Sequence, residues 1–177
     1  MIYYMEKLLV DIITLLDEMG GEAPTPAANH LFVVNDNQTK LDEQKAQFFH
    51  TYVAKTLFVC KRARPDLQTV VAFLCTRVKE PDEDDYKKLI RMLQCMRATK
   101  DDYLTLSASS LHHVCWWVDA SYAVHPVMRS HTGGALSLGN GGIYGTSKRQ
   151  KLHPNSSHDA ELVRPDAVLP HTYWPLY

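Results

Sequence analysis

The sequence predicts an α+β protein in which helices come first and a small sheet follows. Before residue 100, apolar residues recur at helical spacing in four stretches. After residue 100 the pattern changes to that of strands, and Asn140 with Gly141 forms the dipeptide most typical of a hairpin turn. Hydrophobic residues are 45% of the 177 and charged residues 22%, a balance that allows the chain to bury a core.

The N-terminal part predicts one helix and a connector. The apolar positions that share a helical face are Tyr4, Leu8, Ile12, Leu15 and Met19. Gly20 and Gly21 then act as a stop signal. Residues 22–29 contain two prolines and predict an extended connector, and the short apolar run 31–34 is a candidate strand.

Three further helices are predicted in the middle of the chain, over about 42–60, after Pro65 and after Pro81. Four carboxylates at 82–85 complement the positive end of the third helix dipole. Each helix has an apolar face that we expect to pack in a core. These faces are Ala46, Phe49, Val53, Leu57 and Cys60; then Leu67, Val70, Val71, Leu74 and Val78; then Tyr86, Leu89, Ile90, Leu93 and Met96.

The C-terminal part predicts strands and one short helix. Strands are expected at 103–106 and at 114–119, followed by a hairpin that pairs 135–138 with 143–146. A helix capped by Ser156 or Ser157 comes next, and Pro165 should end it soon after it begins. The expected domains are therefore residues 1–100, which are helical, and residues 101–177.

Charge and cysteine content narrow the class of protein. A net charge of -1 excludes a uniformly basic nucleic-acid binder, but residues 60–100 carry 10 basic and 6 acidic side chains, a local charge of +4. The four cysteines lie 15, 20 and 20 residues apart, which fits neither a disulfide framework nor a zinc ribbon. We expect reduced thiols, a cytoplasmic or nuclear protein, and no membrane segment.

Two carboxylates are the most informative candidates for chemistry. Asp119 follows an apolar strand, and Glu161 lies on the helix that follows the hairpin. A helix that packs across a sheet can bring such groups together around magnesium, and two ions bound by shared carboxylates can hydrolyse a phosphodiester. The plainer alternatives are a turn or cap role for Asp119 and a helix-dipole role for Glu161.

Six short segments of the chain carry a further signal. They are Ala-Pro-Thr-Pro-Ala at 23–27, Lys-Arg-Ala-Arg-Pro-Asp at 61–66, Trp-Val-Asp-Ala-Ser at 117–121, Arg-Ser-His-Thr-Gly-Gly at 129–134, Lys-Arg-Gln-Lys-Leu at 148–152 and Ser-Ser-His-Asp-Ala-Glu-Leu at 156–162. In this order they resemble the polyprotein of copia-type long-terminal-repeat retrotransposons, over roughly residues 7 to 163. The resemblance implies that 1–100 is similar to the thumb and connection region of reverse transcriptase, and that 101–177 is a truncated RNase H-like domain.

The resemblance assigns roles to the two carboxylates. Asp119 matches the first catalytic carboxylate of RNase H, at the end of its first strand, and Glu161 matches the second, on its first helix. In the family both bind magnesium, and the RNA strand of an RNA–DNA hybrid is cut. The chain stops before the strand with the third carboxylate, and it lacks the Tyr-x-Asp-Asp hairpin of the polymerase. We therefore expect a catalytically inactive polyprotein fragment.

Other side chains suggest binding rather than catalysis. Lys61, Arg62 and Arg64 are candidates for contacts with nucleic-acid phosphates, or else a solvated helix–turn junction. His112, His113 and Cys115 are scattered metal-ligand types without a fourth ligand, and Ser121 lacks the motif of a hydrolase nucleophile. Two alternatives to the fragment stay open: an active magnesium-dependent RNase H completed by a partner chain, and a non-catalytic interaction module with an unknown protein partner.

Overall fold

The helices and the strands are segregated along the chain. The computed structural model describes residues 2–15, 20–35, 37–110 and 112–166, and contains five α-helices and two small antiparallel sheets in that part of the chain. The α+β class predicted from the sequence is confirmed. By its internal contacts the chain divides into a helical unit (residues 1–31 and 35–104) and a sheet unit (residues 32–34 and 105–177).

The helical unit contains four helices, α1 (Ile2–Leu15), α2 (Glu43–Cys60), α3 (Gln68–Cys75) and α4 (Glu83–Ala98). Its core is formed mainly by α2, α3 and α4. The bulky side chains with less than 2% exposure in these three helices are Phe49, Val53, Val59, Val70, Val71, Phe73, Leu74, Leu89, Met92, Leu93 and Met96. Among the described residues, every helix is too short or too polar to cross a bilayer.

Helix α2 begins where the sequence predicted. The Asp42 carboxylate accepts a hydrogen bond from the Lys45 N–H at 2.8 Å, which satisfies one of the unpaired donors of the first turn. The predicted apolar face is correct except at Leu57, which is 40% exposed. The preceding residue, Thr56, is buried. Its hydroxyl can be buried because it donates a hydrogen bond to the Tyr52 carbonyl and needs no contact with water.

Helices α3 and α4 are separated by a tight connection. Pro65–Leu67 forms a 3₁₀ turn that leads into α3, and Val78 lies beyond the end of that helix rather than on it. Asp82, predicted as the first helical carboxylate of α4, is its N-cap. Its side chain accepts from the Asp85 N–H at 2.8 Å, while the Asp85 carboxylate accepts from the Asp82 N–H at 3.2 Å. This reciprocal box fixes the start of α4.

The sheet unit contains two antiparallel sheets. The larger has the order β2 (Cys115–His125), β3 (Arg129–Ser137) and β5 (Tyr144–Arg149), so strands that are consecutive in it are hydrogen-bonded neighbours. The smaller pairs β1 (Ser107–Ala108) with β4 (Gly139–Asn140). The prediction of a strand at 103–106 is therefore wrong in position, because backbone pairing in this region begins only at Ser107.

The predicted hairpin is confirmed and is longer than expected. Leu136 pairs with Tyr144 at its closed end, and the ladder extends to His131 and Arg149. Gly141 has a φ of 75°, and a Cβ there would lie 2.2 Å from the Thr105 carbonyl oxygen. A glycine is required at this turn for both reasons.

The sheet unit also carries exposed apolar side chains. Trp117, expected to be partly exposed, is 68% exposed, whereas Trp116 is half-buried and packs edge-on against Tyr144. Trp174 and Tyr177, named in the same expectation, lie outside the described residues. Helix α5 (Ser157–Asp166) contacts β2, and its described span ends one residue after Pro165, the proline predicted to end it.

Candidate functional site

Asp119 lies in the middle of a strand rather than at its end. Strand β2 continues to His125, and Asp119 pairs with Gly133 of β3. The longer strand corrects the predicted position of this carboxylate. Its side chain is exposed, and one carboxylate oxygen accepts a hydrogen bond from the Ala120 N–H at 2.9 Å.

Glu161 lies on α5, a helix with a capped N-terminus. The Ser156 hydroxyl accepts from the Asp159 N–H at 3.1 Å, and the Asp159 carboxylate accepts from the Asn155 N–H at 3.1 Å, so Ser156 caps α5 as predicted. Ala160 is buried against the rest of the unit, and Glu161 beside it is exposed. The Asp159 carboxylate therefore takes part in the hydrogen bonding at the start of α5.

A buried amide joins α5 to the sheet. The Gln150 side-chain N–H donates to the Thr132 hydroxyl at 2.8 Å and to the Ala160 carbonyl at 3.0 Å. Thr132 pairs with Ala120, the residue after Asp119, and successive side chains in a strand point to opposite faces. The side chain that contacts α5 through this bridge is therefore on the opposite face of the sheet from Asp119.

The predicted metal site is not complete in the described part of the chain. No three His, Cys, Asp or Glu side chains among the described residues are grouped closely enough to hold a metal ion. Two-metal hydrolysis requires ions shared between several carboxylates. Asp119 and Glu161, the predicted magnesium ligands, do not fit such a site by themselves. The same finding applies to zinc at His112, His113 and Cys115.

Of the three residues in the predicted basic site, Arg64 is buried and the other two are exposed. Arg64 is only 5% exposed, and its guanidinium donates to both carboxylate oxygens of Asp66, at 2.9 and 2.7 Å, and to the carbonyl and hydroxyl oxygens of Thr99. The Asp66 partner raises the pKa of Arg64 and holds its charge inside the unit. Arg64 thus joins the α2–α3 connection to the end of α4, and does not present its charge to a phosphate.

Lys61 and Arg62 are the exposed members of this run. The Arg62 guanidinium lies over the Phe58 ring, 3.9 Å from its centroid, in a cation–π contact on the surface of α2. This geometry leaves guanidinium donors at the surface. Lys61 and Arg62 are therefore the residues of the predicted basic run that remain suited to phosphate contacts.

Two histidines that the sequence did not single out as a pair form the most unusual polar group. His125 Nε2 lies 2.8 Å from His131 Nδ1, and His131 Nε2 lies 2.7 Å from the Ser147 hydroxyl. Both rings are buried, and Phe32 packs on both, with centroids 4.7 Å from His125 and 5.3 Å from His131. Phe32 belongs to the sheet unit, but the run 31–34, predicted as a candidate strand, forms a turn and irregular backbone instead.

The environment of this pair lowers its basicity. Burial lowers the pKa of both histidines to about 4, with the Arg149 charge adding to the effect at His125 and the His125 charge adding to it at His131. Such rings are neutral near pH 7 and are weak general bases. Ser121, weighed from the sequence as a hydrolase nucleophile, is not the serine that bonds a histidine here, since His131 contacts Ser147.

Comparisons with known proteins identify no relative of this chain. No protein-family profile, curated protein or solved structure matches this chain.

Proposed function

We propose that the chain is a fragment of a copia-type retrotransposon polyprotein that spans the end of reverse transcriptase and the start of RNase H. On this proposal the fragment has no nuclease activity of its own and binds nucleic acid weakly. The single observation that carries the proposal is the order of the sequence segments that resemble the family. Four of them fall, in the family's order, on successive elements of the sheet unit.

The placement of these segments is regular. Residues 117–121 lie in β2, residues 129–134 in β3, residues 148–152 at the end of β5, and residues 156–162 at the cap and first turns of α5. Three antiparallel strands followed by a helix against the sheet is the arrangement that the resemblance implies for the start of RNase H. Asp119 on a strand and Glu161 on the helix that follows the sheet support the proposal.

The proposal of inactivity depends on the carboxylates. The bridge between α5 and the sheet uses the face opposite Asp119, and no group of three metal-ligand side chains occurs among the described residues. Magnesium would be a cofactor only if other carboxylates completed the site. The four free cysteines support a reducing compartment, the cytoplasm or the nucleus.

A second candidate, a non-catalytic interaction module, is supported by the apolar surface of the sheet unit. Trp117 is 68% exposed, Val127 77% and Leu162 75%. Large exposed apolar side chains occur at protein–protein contacts as well as on truncated domains. These apolar residues do not define the chemistry of a partner. If the chain is a polyprotein fragment, the same surface is the part of a larger domain that the fragment leaves uncovered.

Weak binding to nucleic acid should depend on Lys61 and Arg62. We expect a labelled RNA–DNA hybrid to bind the full chain in a salt-dependent way, because released counterions contribute to the affinity. Replacing both residues, Lys61→Gln with Arg62→Gln, should reduce the slope of log K against log salt by about 2, one for each lost phosphate contact. Fluorescence anisotropy at several salt concentrations measures this slope.

The matched control removes the same charge elsewhere on the helical unit. Lys79→Gln with Lys100→Gln changes two exposed lysines and should leave the slope unchanged. An equal loss in both double variants would show that only net charge matters, and would contradict a site at Lys61 and Arg62.

A further inference from the structure

A cavity of about 250 Å³ lies in the helical unit between α4 and the proline-containing connector. Its apolar wall includes Pro26, Ala27 and Leu31. Its lining also includes the cationic residues Lys87, Lys88 and Arg91, all from α4. The cavity therefore combines an apolar surface with a group of positive charges.

The charges in this lining do not cancel. Lys88 is paired with Asp84, with 2.8 Å between Nζ and Oδ2, which neutralises one lysine within the lining. Lys87 and Arg91 add two further positive charges. They are four residues apart on α4, so they lie on the same face of the helix one turn apart. Two cations side by side favour an anionic ligand.

Arg91 gives an independent indication of a ligand. One terminal nitrogen donates to the Thr25 hydroxyl at 3.0 Å, which ties the connector to α4. Its Nε is buried and has no hydrogen-bond partner among the described residues. A buried donor without an acceptor is unfavourable, and the fork of donors on an arginine is well shaped to bind a phosphate oxygen.

We propose that this cavity binds a small organic phosphate ester. The phosphate oxygens accept hydrogen bonds from Arg91 and Lys87, and the organic part lies against Pro26, Ala27 and Leu31. The volume leaves room for a phosphate with a small attached group. This site is in the helical unit and goes beyond the proposed polyprotein fragment, because it requires neither a hybrid duplex nor the carboxylates Asp119 and Glu161.

Calorimetric titration of the full chain tests the site, with phenyl phosphate, a small monophosphate ester, and inorganic phosphate as probes at constant ionic strength. We expect saturable binding of both, tighter for the monophosphate because its organic part contacts the apolar wall. Lys87→Gln should weaken both by about tenfold, the value of one charge-assisted hydrogen bond. Lys87 is exposed, so this variant should keep the unfolding midpoint of the parent chain.

The control variant is Lys100→Gln, which removes one exposed charge from the helical unit outside the cavity. It should leave both affinities unchanged. Absence of saturable binding, or an equal loss in Lys87→Gln and Lys100→Gln, would overturn the site. Binding of inorganic phosphate as tight as that of the monophosphate would overturn the assignment of an ester ligand.

Discussion

Acidification from pH 7 to pH 4 is expected to destabilise the sheet unit by several kcal/mol. Burial lowers the pKa of His125 and His131 to about 4 in the folded chain, from an ordinary value of 6.5. Between these values the unfolded chain binds more protons than the folded chain, so folding stability falls as the pH falls. The loss begins as the pH falls through about 6.5 and levels off below pH 4.

Denaturant titration followed by tryptophan fluorescence measures this effect, because all three tryptophans follow residue 104. The double variant His125→Gln with His131→Asn removes both titrating rings. Its stability should be lower than that of the parent at pH 7 and should change little between pH 7 and pH 4. If the double variant lost stability as steeply as the parent when the pH falls, groups other than these two histidines would be responsible for the pH dependence.

Replacement of Arg77 by methionine is expected to destabilise the helical unit by about 3 kcal/mol. Arg77 donates to the Asp85 carboxylate at 2.8 Å and to the Asp82 carboxylate at 3.1 Å, and the Asp85 side chain is 2% exposed. Removal of the guanidinium leaves a buried carboxylate without its cation, and this carboxylate is also part of the cap of α4. The loss is therefore larger than that of a surface ion pair.

Denaturant titration followed by far-ultraviolet circular dichroism measures the loss. Burial already raises the pKa of Asp85, and Arg77 opposes that rise. Without Arg77 the folded carboxyl takes up a proton at higher pH, so the destabilisation should shrink on acidification. The control is Lys40→Met, which breaks the exposed pair with Glu80 and should change the stability far less, because solvent screens an exposed ion pair. Equal losses in the two variants would contradict a buried role for Arg77.

The helical part of the fold could be predicted closely because its signals are local. Asp42 and Asp82 stand directly before apolar periodic segments, and in the structure each caps the helix that follows it. The hairpin after β3 was predicted from Asn140 and Gly141 for the same reason. In each case the residues that determine the element are within a few positions of it.

Features that depend on distant contacts could not be predicted in this way. Arg64 belongs to a basic run in the sequence, and only its contact with Thr99, 35 residues later, makes it a buried structural residue. His125 and His131 are ordinary histidines until Phe32 covers both rings. Burial and pKa follow from these tertiary contacts, which no local pattern encodes.

The candidate catalytic site shows the same division. The sequence placed Asp119 at the end of a strand and Glu161 on a helix; Glu161 is on a helix, whereas Asp119 lies in the middle of a longer strand. The length of β2 and the contact through Gln150 depend on pairing across the sheet. A shift of one residue in a strand moves a side chain to the other face, so the position of Asp119 relative to α5 could not be predicted from spacing alone.

Cleavage of a labelled RNA–DNA hybrid tests the central claim most directly. The full chain is assayed with magnesium and then with manganese, beside the variant Asp119→Asn. We predict no cleavage above the protein-free blank with either metal, because the two carboxylates do not make up a metal site by themselves. Cleavage by the parent chain that is lost in Asp119→Asn would contradict this account, and would show a working nuclease.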